Sequence, residues 1–193
     1  MRIEICGNIA SGKTTLCNKF AERGYSPVLE NFASNPFWQD FYDNPPLYAF
    51  ETELSFHLQH YCDIKKKMNM ALCCSDFSLV QDLAYADANL AGRRHELFCD
   101  VAAELRAELG YPDCLIYLSC REEVLLERIR ARGRAPEAKI DLAYLKSLRE
   151  ALDSRIAQVE SQLTIIRIDC FQVDFRVQLP ETLGILFPAS GSA

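Results

Sequence analysis

The sequence predicts an α/β fold built on a five-stranded parallel sheet with helices on both faces. Three observations predict it. Five short apolar runs alternate with longer segments whose apolar residues recur at helical spacing, the pattern a covered parallel sheet requires. The first of these runs passes through a Gly-rich turn straight into a helix. Finally, 193 residues that are 49% hydrophobic amount to one domain with a sizeable core. Residues 1–186 are therefore expected to form a single unit, followed by a disordered tail over 187–193 that ends Ala-Ser-Gly-Ser-Ala.

Taken in order, Ile3-Glu4-Ile5-Cys6 is the first strand, and Thr14-Thr15-Leu16-Cys17-Asn18-Lys19-Phe20 has helical periodicity. Pro27-Val28-Leu29 is the second strand. The following stretch is crowded with aromatics: nine of the chain's twenty lie between Phe32 and Tyr61, which suits a pocket wall as well as a core. The pattern is helical over 47–70, and Phe77-Ser78-Leu79-Val80 reads as a third strand. A helix over 93–109 stops at Gly110, and Tyr111-Pro112-Asp113 leads into the strand Cys114-Leu115-Ile116-Tyr117-Leu118. The next helix starts near Glu122 and continues into an arginine-rich stretch through Arg134. A long helix over 142–162 precedes the fifth strand, Thr164-Ile165-Ile166-Arg167-Ile168.

Charge and cysteine usage narrow the function classes. The 27 acidic and 21 basic side chains leave a formal charge of -6, which disfavours a generic grip on a nucleic acid polymer. No apolar run reaches the length of a membrane span, and MRIEIC lacks the long apolar stretch of a signal peptide. A cytoplasmic protein is expected. The nine cysteines are scattered singly through strands and helices, apart from Cys73-Cys74, so they read as reduced thiols rather than a disulfide framework or a zinc site.

The turn after the first strand reads Gly7-Asn8-Ile9-Ala10-Ser11-Gly12-Lys13-Thr14. This is a complete G-x-x-x-x-G-K-[ST] match in the strand-to-helix context that the motif needs. The glycines let successive N–H groups point inward, the helix N-terminus adds its dipole, and Lys13 places charge on the outer phosphates. Thr14 offers a hydroxyl to Mg²⁺, with Thr15 beside it. The expected ligand is a nucleoside triphosphate, ATP with Mg²⁺, and the expected architecture is the P-loop nucleoside triphosphate hydrolase fold. Five of the fourteen arginines lie between Arg121 and Arg134. The pairs Arg128/Arg132 and Arg130/Arg134 are four apart and would each share a helical face, a local cationic surface suited to closing over phosphates.

Further along, Leu29-Glu30-Asn31, Asn35-Pro36-Phe37, Phe41-Tyr42-Asp43 and Tyr48-Ala49-Phe50 resemble the bacterial branch of the deoxynucleoside kinase family. So do Pro112 to Leu118, Glu127-Arg128-Ile129 with Arg132-Gly133-Arg134 and Glu137, Tyr144-Leu145, and Ile168-Asp169 followed by Asp174-Phe175. The resemblance runs from Met1 to about Leu186. It implies a kinase that moves the γ-phosphate of ATP to the 5′-hydroxyl of a deoxynucleoside, a purine deoxynucleoside being the favoured acceptor. Glu30 would be the general base. Lys13 with Arg132 and Arg134 would stabilise the transferring phosphate, and residues 128–138 would form an arginine-rich lid in which Arg128 also touches the nucleotide. Asp174 and Phe175 would lie against the adenine. Tyr42 and Glu137 would hold the sugar 3′-hydroxyl, with Tyr144 nearby and Asp87 on the acceptor side. A homodimer is implied by the same resemblance.

Three positions depart from the family pattern. Glu53 stands where a base-reading glutamine is usual; ionised, it would only accept hydrogen bonds and would favour the two donors of a guanine edge or a cationic acceptor. His60 stands where an arginine helps read the base. The acidic-Arg-Ser triplet after the third strand corresponds to Gln81-Asp82-Leu83, with Tyr85 and Asp87 fixing the register; a one-residue slip would put Asp82 at the acidic position. Either way the arginine is missing, which would cost on the order of 3–5 kcal/mol of transition-state stabilisation unless another cation replaces it. These departures leave two other readings open: a kinase for a different small hydroxylated metabolite, or a nucleotide-binding protein with weak catalysis.

Overall fold

The computed structural model describes residues 1–187. Of the expected tail over 187–193, residues 188–193 lie outside the described residues, and Phe187 belongs with the domain: its ring centroid lies 5.1 Å from that of Phe20. No helix among the described residues is long and apolar enough to cross a membrane.

The strands are β1 (Arg2–Gly7), β2 (Ser26–Val28), β3 (Cys73–Ser75), β4 (Cys114–Ser119) and β5 (Thr164–Asp169). They form one parallel sheet in the order β2-β3-β1-β4-β5. The helices are α1 (Lys13–Ala21), α2 (Trp38–Asp43), α3 (Pro45–Lys67), α4 (Leu79–Asn89), α5 (Gly92–Leu109), α6 (Glu122–Arg132) and α7 (Leu142–Val159). β1 and β4 are almost wholly buried, as strands covered on both faces must be. Alternation along β4 divides the core: Cys114, Ile116 and Leu118 join Leu16 and Phe20 of α1 on one face, while Leu115 and Tyr117 join Val80, Ala84, Leu152 and Ile156 of α4 and α7 on the other.

The third strand corrects the sequence reading. Phe77-Ser78-Leu79-Val80 is not a strand; the sheet takes Cys73-Cys74-Ser75, which pairs with β1 on one side and β2 on the other. The Ser78 hydroxyl accepts the Gln81 N–H at 2.9 Å and so caps α4. The apolar run is thus a buried loop and a helical first turn. The four-residue displacement matters because it moves the acid that follows the strand.

Candidate active site

The carboxyl ends of all five strands open onto one edge, where ligands of parallel α/β sheets collect. There the turn between β1 and α1 is fixed by close approach. A Cβ on Gly7 would lie 2.7 Å from the Leu118 carbonyl oxygen, and Gly12 has φ +102° with the Phe175 ring 3.3 Å from where its Cβ would be. The start of the turn is tied down by the Gly7 N–H donating to Gln81 Oε1 at 3.1 Å and by Asn8 Nδ2 donating to the Leu145 carbonyl at 2.7 Å. Lys13 Nζ folds back and donates to the Gly7 and Asn8 carbonyls at 2.9 and 3.1 Å. Burial lowers the pKa of Lys13, opposed by the charges of Glu30 and Asp76.

Asp76, directly after β3, joins three segments. It accepts the Thr14 hydroxyl at 2.6 Å and the Glu30 backbone N–H at 2.7 Å, so it sets the direction of the Thr14 oxygen and the start of the loop that carries Glu30. The acidic-X-Ser triplet is therefore Asp76-Phe77-Ser78, not Gln81-Asp82-Leu83. Its acid and serine are present, and phenylalanine takes the arginine's place.

Above the turn lies a cavity of about 500 Å³, within the range of small-molecule sites. Ile9 to Thr15 form its floor, and Ala10, Ser11, Gly12, Lys13, Thr14 and Thr15 all face it. Five of the nine crowded aromatics, Phe32, Trp38, Phe41, Tyr42 and Phe56, line one wall. Glu30, Glu53, His60, Asp82, Glu137 and Tyr144 supply the polar part of the lining.

Arg128, Arg132 and Arg134 line the cavity, but not as two helical pairs. The helix α6 ends at Arg132, and Gly133 turns left-handed (φ +65°), sending Arg134 inward; Arg130 remains exposed. Arg132 Nη2 and Arg134 Nη1 both donate to the buried Glu137 carboxylate, at 2.5 and 3.3 Å. Arg128 Nη2 donates to the Cys170 carbonyl at 2.9 Å.

Glu53 is buried and its Oε1 accepts from Asn89 Nδ2 at 2.7 Å, while the same nitrogen donates to Tyr144 Oη at 3.1 Å. Burial pushes its pKa to about 8, against the hydrogen bond from Asn89. At neutral pH Glu53 is therefore protonated, which corrects the reading of an ionised, acceptor-only group. Burial likewise pushes the Tyr42 phenol well above its usual value, so it stays a hydrogen-bond donor.

His60 cannot read a base as expected, because both ring nitrogens face carboxylates. Nδ1 lies 3.0 Å from Asp82 Oδ1, and Nε2 lies 3.2 Å from Glu30 Oε1, a contact that falls short of hydrogen-bond geometry. Asp87 does not line the cavity. It accepts from Arg155 Nε and Nη2, both at 2.5 Å, and lies 2.7 Å from His95 Nε2. Phe175 is buried beneath Gly12 in the core, where no base can stack on it. Asp174 is exposed and pairs with Arg176, which does line the cavity. The sequence reading missed Asp76, Trp38 and Arg176; an acid at a strand's end was a usable signal for the first, once the strand was placed correctly.

The fold resembles deoxyadenosine kinase from M. mycoides, solved with bound dATP and with bound dCTP. The TM-score is 0.84 in both comparisons, at 21% and 20% identity, covering 96% of this chain and 99% and 98% of those chains. In sequence, the chain is 28% identical over 182 residues to deoxyguanosine kinase of Bacillus subtilis (strain 168), covering 90% of this chain and 88% of that protein. It is also 28% identical over 176 residues to deoxyadenosine kinase of Dictyostelium discoideum, covering 86% and 71%. The model of the family "Deoxynucleoside kinase" matches residues 3–181. With nearly the whole chain matched, the protein belongs to the deoxynucleoside kinase family.

Proposed function

We propose that this kinase transfers the γ-phosphate of ATP to the 5′-hydroxyl of a purine deoxynucleoside. One observation carries the reading: a single cavity joins Gly12, Lys13 and Thr14 to a strand-end carboxylate, Glu30, and to the buried Glu53 behind it. Glu30 accepts the 5′-hydroxyl proton as that oxygen attacks the γ-phosphorus and ADP departs. Backbone N–H groups of the turn and Lys13 hold the outer phosphates. Arg132 and Arg134 exchange part of their pairing with Glu137 for the transferring phosphate, and Arg128 flanks the nucleotide. Tyr42 donates to the sugar 3′-hydroxyl and Glu137 accepts from it, with Tyr144 alongside.

The donor set fits Mg²⁺, a hard cation that takes few protein oxygens and completes its shell with phosphate and water. Thr14 Oγ1, oriented by Asp76 Oδ2, would hold it. When bound, Mg²⁺ neutralises charge on the β- and γ-phosphates. A protonated Glu53 offers one donor and one acceptor and so suits an adenine edge, while ionised it suits guanine. The nine free cysteines fit a reducing, cytoplasmic setting, and we assign a homodimer on family membership.

The test is a coupled ADP-release assay against a panel of deoxynucleosides and ribonucleosides, with Glu30→Gln as control. The expected result is turnover of deoxyadenosine or deoxyguanosine, falling about 10²–10⁴-fold in Glu30→Gln with ATP binding retained. Undiminished turnover in Glu30→Gln removes the base assignment.

A further inference from the structure

We infer that His60 is a fixed cation that positions the Glu30 carboxylate, held in that role by Asp82. The inference deepens the proposed function and rests on it.

His57 and His60 lie one turn apart on α3 and both face Asp82 in the first turn of α4. His57 Nδ1 lies 2.9 Å from Asp82 Oδ2, and His60 Nδ1 lies 3.0 Å from both Asp82 oxygens. The far nitrogen of His60 then reaches 3.2 Å from Glu30 Oε1. An imidazole with a carboxylate at each end can satisfy both only by carrying a proton on each nitrogen. The ring is clamped flat on Phe77, with centroids 3.9 Å apart and planes 9° from parallel, and its other side faces Phe56 at 5.8 Å. Such stacking restricts the ring's orientation and is favourable for a cation.

The charges around the ring point the same way. Burial alone would strip the proton from His60, but the charge and hydrogen bond of Asp82, with the carboxylate of Glu30 at 3.2 Å, reverse that and hold the ring protonated to about pH 10. Burial would likewise raise Asp82, but the two histidines bring it down to about 2. Glu4 on β1 and Glu53 on α3 also feel the ring, and Lys13 faces Glu30 from α1. Without His60, Glu30 and Asp82 would be two anions in one buried corner next to a triphosphate. His60 joins them and supplies the positive charge at the place where Phe77 stands instead of the triplet's arginine.

His60→Gln removes the charge, and Asp82→Asn removes what maintains it without touching Glu30. In His60→Gln, kcat is expected to fall about 100-fold, the scale of losing one charge-stabilising donor, with the KM for ATP within threefold of wild type. In Asp82→Asn, kcat stays near wild type at pH 6 and falls as pH passes 7, because the ring reverts toward an ordinary imidazole. Wild-type kcat does not show that loss. Ring-nitrogen NMR reads the charge directly and is simple with three histidines: His60 stays doubly protonated from pH 6 to 9 in wild type and titrates near neutrality in Asp82→Asn. Wild-type kcat in His60→Gln, an unchanged pH profile in Asp82→Asn, or a wild-type His60 that titrates below pH 8 would each overturn the inference. If wild-type protein phosphorylates no deoxynucleoside, the functional reading fails, and the NMR result alone decides the charge of His60.

Discussion

Replacing Glu53 by glutamine tests how the acceptor base is chosen. With a pKa of about 8, Glu53 is roughly 90% protonated at pH 7. Asn89 occupies one lone pair of Oε1, which leaves the acid's O–H and the second lone pair of Oε1 for a base. That edge matches adenine, which offers one acceptor and one donor. A guanine edge offers two donors and requires the anion, and ionising Glu53 at pH 7 costs about 1.4 kcal/mol, or tenfold in affinity. Capture of deoxyguanosine therefore rises with the ionised fraction and capture of deoxyadenosine falls with it. The ratio of their kcat/KM values is expected to rise about 100-fold from pH 6.5 to 8.5. Taking the ratio cancels any titration shared by both reactions, such as that of the triphosphate. In Glu53→Gln the ratio becomes independent of pH and favours deoxyadenosine. A wild-type ratio that changes less than threefold over this range, or a persisting slope in Glu53→Gln, refutes the argument. Stability supplies a second readout. An acid whose pKa is raised on folding binds more protons when folded, so wild type loses stability as pH rises from about 4.5 to 8. The Tm advantage of Glu53→Gln should grow across that window.

Two further outcomes follow from residues that leave the cavity. Asp87→Asn should leave kcat/KM within about twofold but cost about 2 kcal/mol at pH 7, the scale of charge-assisted hydrogen bonds such as those from Arg155. Despite partial burial, Arg155 and His95 lower the pKa of Asp87. The stability it adds is therefore present above its unfolded pKa, and in thermal melts the gap should close as pH falls below about 4. Phe175→Ala should cost about 3–5 kcal/mol as a core truncation and raise the KM for ATP several-fold, because the ring supports Gly12 from below. An unchanged KM would return Phe175 to a purely structural role.

Much of this site was legible before any coordinates because its chemistry is local. The phosphate turn is eight consecutive residues whose backbone does the work, and Glu30 follows a recognisable strand. The misreadings arose where chemistry depends on distant packing. Cys73-Cys74-Ser75 carries little strand signal and becomes a strand by pairing on both sides, so the acid at its end, Asp76, escapes a reading that sets the triplet at Gln81-Asp82-Leu83. The protonation of Glu53 depends on burial that α3 alone cannot reveal. His60 and Asp82 are 22 residues apart, and their partnership exists only because α3 packs against α4. Asp87 shares the face of α4 that carries Leu83, turned away from the Gln81, Asp82 and Tyr85 that line the cavity, and Arg155 of α7 holds it there.

The strand order also bears on how the protein could be altered. The strands β2 and β3 lie on one side of β1, and β4 and β5 on the other. Glu30, Glu53, His60 and Asp82 all come from the first side, whereas Arg128, Arg132, Arg134 and Arg176 follow β4 or β5. The central strand is thus a watershed between two sets of parts. On the proposed function, a redesign of α3 could exchange the acceptor while the proposed triphosphate grip is inherited intact. Glu137 and Tyr144 are the exceptions, chain from beyond β4 that the proposed function places at the acceptor. Glu137 also pairs with two arginines, so there a new acceptor could not be installed without disturbing the grip.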